Sequence, residues 1–206
     1  MRVVSAKVIL ESHVNGPQIL RRLERIGRVC YKSEDCITKI SAERFVVALL
    51  KRGHESVLEH ISITVRIICD RGVSHEIVRH RIASYSQEST RYCNYKQKGM
   101  VFIQPKFLYQ GAHDVWFQAM LAAEKHYLKL LELGASPQEA RSVLPNSLKT
   151  ELVVTYNLRQ WRHVLRLRTE KAAHPQMREV MIPVLYKLKE RIPLIFDDIL
   201  AFEGGD

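Results

Sequence analysis

No run of apolar residues in the chain approaches the roughly 18 to 20 positions that a membrane-spanning helix requires, so no membrane span is expected. The opening MRVVSAKVIL is too short and too strand-like for a secretory leader, and a cytosolic location is the expectation. Cysteine is scarce: Cys30, Cys36, Cys69 and Cys93 form no C-x-x-C pair and no zinc spacing, which points to reduced, mostly buried thiols. Cys93, beside a polar motif, is the one cysteine to weigh as a nucleophile. No low-complexity tract or internal repeat is visible, so disorder and repeat architectures are not indicated. No glycine-rich phosphate fingerprint follows a strand, which argues against a dinucleotide fold of the Rossmann kind.

Acids are also in short supply. The 32 Lys and Arg outnumber 22 Asp and Glu, a formal charge of +10 that favours an anionic partner: a nucleotide, a nucleic acid or an acidic membrane surface. At 206 residues the chain is long enough for one well-buried domain and short for two, so a single domain over 1–206 is expected. Its 46% hydrophobic content is that of an ordinary globular protein, enough to build such a core.

RVVSAKVIL reads as a strand, and PQILRRLERIGRVCY as a helix with Pro17 in its first turn. Ser41 is placed to cap a second helix whose Phe45, Ala48 and Leu49 share a face and that Gly53 closes. In HISITVRIIC, Ile61, Ile63, Val65 and Ile67 alternate with Ser62, Thr64 and Arg66, the pattern of a half-buried strand. GVSHEIVRHR returns to helix, a hydroxyl-rich loop follows, and a short strand is expected near MVFIQP. Over 113 to 133 a stripe of Trp116, Ala119, Met120, Ala123, Tyr127, Leu130 and Leu131 predicts a long helix, ended by Gly134. SPQE at 136 to 139 offers a cap for the next one. TELVVTYN predicts a second central strand leading into the basic helix LRQWRHVLRLR. The last helix buries Met177, Val180, Met181, Val184, Leu185 and Leu188, with a kink or break expected at Pro183. This irregular alternation predicts an α+β fold, an antiparallel sheet packed with long helices.

The densest chemistry lies in RHRIASYSQESTRY, residues 79 to 92, where Glu88 is the only acid. The preceding HEIVRH resembles a zinc motif, but its second histidine falls at i+5, about 140° around a helix from the first, so no metal site is expected. Arg79, His80 and Arg81 fit a solvated last helical turn, with Glu76 able to pair with Arg79 or His80. They fit equally a cradle for phosphate, because guanidinium forks and hydroxyls match phosphate oxygens. HESVLEH at 54 to 60 is either an S-x-x-E capping box of Ser56 and Glu59 or a ligand site at a helix start. Arg159, Arg162, His163 and Arg166 form a cationic face on the basic helix, readable as a surface face, and Arg168 ends that helix.

R-H-R, seven residues, then Ser89 is similar to the signature of the flavin-dependent thymidylate synthases. HESVLEH, SHEIVRHR, STRY, VLPNSLKTELVVTYNLRQWRHVLRLR and AHPQMREVMIP resemble family segments in family order, covering most of 54 to 183. The resemblance implies a mixed α/β fold, a homotetramer with active sites at subunit interfaces, tightly held FAD, and conversion of dUMP to dTMP. Methylenetetrahydrofolate would give the carbon, NADPH the electrons through the flavin, and tetrahydrofolate would be released. It further implies FAD contacts at Ser56, Arg79, His80, Arg81, Gln87, Asn157, Arg159 and His163. The implied dUMP contacts are Glu76, Arg79, Gln87, Glu88, Ser89 and Arg91, with Arg168 on the pyrimidine favouring ionisation at N3. Glu76 and Gln87 exchange the Gln and Glu of some members. Glu151 stands where some members have an arginine for dUMP, and Lys149, two residues away on the same strand face, is expected to take that role. His174 is similar to a histidine near the flavin, with a different spacing. Two other readings stay open: a basic nucleic-acid-binding module, and a family flavoprotein that modifies another pyrimidine nucleotide.

Overall fold

In the computed structural model, residues 1–97 and 99–202 are described. The first predicted strand divides at Ser5 and Ala6 into β1 (Arg2–Val4) and β2 (Lys7–Leu10), which serve two different sheets. Helix α1 (Gly16–Val29) has Pro17 in its first turn as expected, and the Asn15 side chain caps it by accepting from the Gln18 amide at 3.0 Å. In α2 (Ser41–Lys51), Ser41 is the first helical residue and not the cap. Its hydroxyl accepts from the Thr38 amide at 2.8 Å and donates to the buried Glu24 carboxylate at 3.0 Å, which ties α2 to α1.

Strand β3 (Ser62–Asp70) alternates as predicted, with Ile63, Val65 and Ile67 buried. It passes without a loop into α3 (Arg71–Ile77), because Asp70 caps that helix by accepting from the Val73 amide at 2.9 Å. The hydroxyl-rich run expected as loop contains β4 (Ser84–Gln87), and β5 (Val101–Ile103) falls where a short strand was predicted. Helix α4 (Gln110–Glu132) ends before Gly134, whose φ of +93° suits only glycine well. In front of α5 (Pro137–Ala140) the Glu139 carboxylate accepts from the Ser136 amide at 2.8 Å, completing the predicted cap. Strand β6 (Lys149–Asn157), α6 (Leu158–Arg168), α7 (Pro175–Arg191) and α8 (Pro193–Phe196) follow. Pro183 lies within α7, which runs on through it.

The main sheet is antiparallel throughout, in the order β2-β3-β6-β4, with Ser62 opposite Asn157 and Asp70 opposite Lys149. A separate pair, β1 with β5, is parallel. The α+β class with an antiparallel sheet is therefore as read from the sequence, and the parallel pair is an addition. On the inner face, Ile63, Val65, Ile67, Leu152 and Val154 meet Trp161, Val164 and Leu165 of α6 and the predicted stripe of α7, all buried. Each such side chain contributes about 1.5–3 kcal/mol by leaving water. The Trp161 indole donates to the Ile63 carbonyl at 3.0 Å and stands edge-on to Tyr156 at 4.6 Å, so no buried polar atom is lost there. A smaller cluster of Met100, Phe102, Met120, Tyr127, Ala140 and Leu148 packs under α4. Of the α4 stripe only Met120 and Tyr127 are buried, because that cluster covers less of the helix than the main core would.

This layout brings α3 and the end of α6 together. β6 covers about 30 Å at roughly 3.3 Å per residue, and α6 then returns about 16 Å at 1.5 Å per residue over the inner face. Arg168, at the end of α6, arrives beside the residues that follow β3.

Candidate active site

Helix α3 stops at Ile77, so Arg79, His80 and Arg81 lie beyond it and do not form its last turn. Tyr85 of β4 fixes this segment: its hydroxyl lies 2.8 Å from the Ile77 carbonyl, 2.6 Å from the His80 carbonyl and 2.8 Å from the Tyr156 hydroxyl. The result is a turn that sends alternate side chains opposite ways. Arg79 and Arg81 are exposed, and His80 is buried. Neither Arg79 nor Arg81 has an ion pair or side-chain hydrogen bond among the described residues. With His75 and Val78 they line a concavity of about 510 Å³.

His80 faces Arg168. The Arg168 Nε donates to His80 Nε2 at 3.1 Å, and its Nη1 donates to Glu76 Oε2 at 3.1 Å. Glu76 thus pairs with neither Arg79 nor His80, and segments 92 residues apart meet at one guanidinium. Nε2 can accept only when unprotonated. Burial first, then the charges of Arg168 and His163, hold the His80 pKa down to about 4, and His163 stands edge-on at 6.1 Å.

A depressed histidine pKa makes stability pH-dependent. Below about 6.5 the unfolded chain takes up a proton that the folded chain refuses until about 4, so this contribution is complete above 6.5 and lost as pH falls to 4. After allowance for solvent screening the loss is about 2 kcal/mol. His80→Gln, which keeps an acceptor for Arg168, is expected to lose that much less over the interval in denaturant titrations; parallel curves for the two proteins would contradict the assignment.

A second concavity, of about 540 Å³, gathers Asn157, Arg159 and His163 with Glu55, Glu59 and Ile82. Asn157 ends β6 and caps α6, its Oδ1 accepting from the Gln160 amide at 2.8 Å, which sets the start of the basic helix. Ile82, next to the tripeptide, is 68% exposed, a large apolar side chain left open at the mouth of a polar cavity. Arg159 pairs with Glu59. The expected Ser56–Glu59 capping box does not form: residues 55–60 make a 3-10 turn without a side-chain cap, Glu59 turns to Arg159, and Ser56 is exposed. Arg162 is not on the cationic surface face either. It is 2% exposed, with bidentate hydrogen bonds to Asp198 at 2.8 and 2.7 Å and a bond to Glu55 at 3.1 Å, while Arg166 reaches Asp198 at 2.9 Å.

Glu88 borders a third concavity, of about 430 Å³, with Arg2, Cys93, Tyr95 and Lys149. The Tyr95 hydroxyl donates to its Oε1 at 2.9 Å and Lys149 to its Oε2 at 2.8 Å. Lys149 also lies 3.5 Å from Glu151, and Arg66 pairs with both Glu151 and Glu11. The Arg66 hydrogen bond holds the Glu151 carboxyl below the usual carboxylate range. Lys149 is therefore held between two carboxylates. Gln87 turns inward, donating to Ser74 at 2.9 Å and Thr150 at 3.2 Å. The Ser89 hydroxyl accepts from the Arg91 amide at 3.3 Å, and the Arg91 guanidinium lies 5.5 Å over the Tyr92 ring. His174 caps α7, accepting from the Gln176 amide at 3.3 Å, and packs edge-on to Phe107 at 5.5 Å.

The structure thus joins Glu76, His80 and Arg168 directly, with His163 of α6 beside His80, and gathers Asn157, Arg159 and His163 in a second concavity at the start of α6. It distributes Arg79 and Arg81, and Glu88 and Lys149, to separate concavities. The sequence reading missed Tyr85, Tyr95 and Ile82. The alternation in SYSQ was the available signal for Tyr85, since it puts Tyr85 and Gln87 on the inner side of a strand.

On this antiparallel α+β fold, the Arg79 and Arg81 guanidinium groups at a concavity of about 510 Å³ have the chemistry that matches an anionic group such as a phosphate. The family model for the thymidylate synthase complementing protein matches residues 10–194. A flavin-dependent thymidylate synthase of Geobacter sulfurreducens is 35% identical over 201 residues, covering 93% of this chain and 86% of the relative. One from Pyrococcus furiosus is 33% identical over 170 residues, covering 80% and 70%. Among solved structures, a UMP/dUMP methylase from Streptomyces cacaoi bound with 5-Br dUMP superposes with a TM-score of 0.80 at 23% identity, covering 96% of each chain. The chain belongs to the family of the flavin-dependent thymidylate synthases.

Proposed function

We propose that the chain is a flavin-dependent thymidylate synthase that converts dUMP to dTMP. The observation that carries this reading is Arg168, held by His80 and Glu76 where two distant family segments meet. The balanced reaction is dUMP, methylenetetrahydrofolate, NADPH and a proton giving dTMP, tetrahydrofolate and NADP⁺. FAD, when bound, supplies the redox step.

The residues present fit that cofactor. Its pyrophosphate needs cations not already taken by carboxylates of the chain, and Arg79 and Arg81 meet that need. Asn157, Arg159 and His163 offer hydrogen bonds beside Ile82, an apolar wall for a ring system, and Ser56 and Gln87 join the proposed flavin set on the family resemblance alone. For dUMP the proposed contacts are Glu76, Arg79, Gln87, Glu88, Ser89 and Arg91. Lys149 takes the phosphate by exchanging Glu88 for it. Arg168 addresses the pyrimidine with the guanidinium N–H groups that His80 and Glu76 leave over, and favours negative charge at N3. The family resemblance implies a homotetramer with sites at subunit interfaces, an assembly that would let contacts from three concavities of one chain serve composite sites. No helix among the described residues is long and apolar enough to cross a membrane, and a cytoplasmic location completes the reading.

The visible spectrum of the purified protein tests the cofactor. Flavin bands near one per chain, bleached by NADPH in the absence of oxygen, are expected, and Arg79→Ala with Arg81→Ala is expected to lose about tenfold or more in FAD affinity. A colourless protein that cannot be reconstituted with FAD but retards DNA would replace this reading with the nucleic-acid-binding one.

A further inference from the structure

The charge balance around Glu88 and Lys149 does not suit a phosphate. Lys149 lies between Glu88 and Glu151, and Arg66 is shared by Glu151 and Glu11, so in this network two cations stand against three carboxylates. A phosphate monoester carries about −1.5 to −2 at neutral pH, and one drawn to Lys149 alone would meet a cluster that is already anionic. Arg2 changes that balance. It lines the same concavity of about 430 Å³ as Glu88, Tyr95 and Lys149, and among the described residues its guanidinium has no ion pair and no side-chain hydrogen bond. All five of its N–H groups are therefore uncommitted. The backbone fixes its place: the Arg2 amide donates to the carbonyl of the buried Met100 at 2.9 Å, and Arg2 stands opposite Val101 of β5. Alternation along β1 half-buries Val3 and leaves Arg2 exposed, so its side chain is turned away from the small core. The division of the first strand at Ser5 and Ala6 is what carries Arg2 to this concavity and not to the main sheet.

Resting on the thymidylate synthase reading, we infer that Arg2 is a further substrate-binding residue, a ligand of the 5′-phosphate of dUMP. Lys149 turns from Glu88 to the phosphate, and the Arg2 fork takes two phosphate oxygens at once. Glu88 is not left bare, because the Tyr95 hydroxyl still donates to it at 2.9 Å. Burial first, then the Glu88 charge, pushes that hydroxyl above the ordinary tyrosine range, so it stays a neutral donor and adds no negative charge. With Arg2 counted, three cations balance three carboxylates before the ligand arrives. Among the anions of the proposed reaction, dUMP is the one this place fits, since Glu88 and Lys149, both proposed dUMP contacts, border the same concavity. The contact is with the phosphate alone, so Arg2 serves binding and takes no part in the chemistry at the pyrimidine ring.

Flavin-loaded protein titrated with dUMP in a calorimeter tests this. Arg2→Gln should weaken dUMP binding by about tenfold to a hundredfold. Its kcat at saturating dUMP, and its KM values for NADPH and methylenetetrahydrofolate, should stay within about twofold of wild type. Arg2→Lys, which keeps the charge and loses the fork, should fall between the two. The ³¹P shift of bound dUMP, followed from about pH 5 to pH 8, reads the contact itself. A cation on the phosphate lowers its second pKa, so that pKa should rise by about one unit in Arg2→Gln and stay near the wild-type value in Arg2→Lys. Unchanged dUMP affinity in Arg2→Gln, weaker binding with an unmoved ³¹P titration, or a rise confined to KM for NADPH or the folate would overturn the inference. Failure of the wild-type holoenzyme to bind dUMP at all would instead remove the functional reading, and this inference with it.

Discussion

Arg168→Ala is expected to lower dTMP formation by about 10²- to 10³-fold, the cost of removing one pre-placed donor from developing charge. FAD should remain bound, because the proposed pyrophosphate contacts, Arg79 and Arg81, are side chains that Arg168 does not touch. Folding should survive as well. Glu76 is 40% exposed in its side chain and regains water, while the buried His80 loses its donor, so the stability loss should be about 1–3 kcal/mol. Arg168→Lys should not rescue activity, since a point charge cannot hold His80 and Glu76 and still offer a flat edge to the base. Steady-state turnover, flavin content and a thermal melt on the same preparation separate these effects; a variant with near-normal turnover would remove Arg168 from the chemistry.

Arg162→Leu should do the reverse, damaging the fold and only through it the activity. The guanidinium is buried with two bonds to Asp198, one to Glu55 and one to the Ile195 carbonyl, so it fastens the middle of α6 to the segment after α8. Burial opposes its charge, but Asp198 and Glu55 more than offset that, and its pKa is raised. A leucine there leaves the Ile195 carbonyl and part of Glu55 without partners. The expected loss is about 3 kcal/mol, toward the low end for breaking a buried pair because Asp198 is half-exposed and regains water. For a chain of this length that is a fall of about 6–12 °C in melting temperature. Arg166→Leu, at an exposed position, should cost less than about 0.5 kcal/mol. Equal effects of the two substitutions would show that Arg162 is not the fastening.

Where an element was long and periodic, its sequence announced it. β3 and β6 alternate over most or all of their nine residues, and the α7 stripe repeats through about three turns, so pairing and packing only completed what the pattern began. β4 was hidden because its outward residues are serines, which read as loop, and because a strand that short is fixed by its β6 partner more than by propensity. The division of the first strand depends on β5, almost 100 residues away, and no local signal marks it. In the site, the motifs located the right residues, but their partners depended on register. Pairing of Gln87 with Leu152 brings Glu88 alongside Glu151, its amide donating to the Glu151 carbonyl at 2.9 Å, and so within reach of Lys149. Likewise Glu76 was expected at helical spacing from Arg79, and it found Arg168 because α6 folds back across the sheet.

The central claim is that this polypeptide builds dTMP by bringing a pyrimidine monophosphate to a flavin at Arg168. Anaerobic incubation of flavin-loaded protein with dUMP, NADPH and methylenetetrahydrofolate, followed by separation of the nucleotides, tests it most directly. The account predicts dTMP together with an equal amount of tetrahydrofolate. Protein that binds FAD and is reduced by NADPH, yet returns dUMP unchanged, would contradict it.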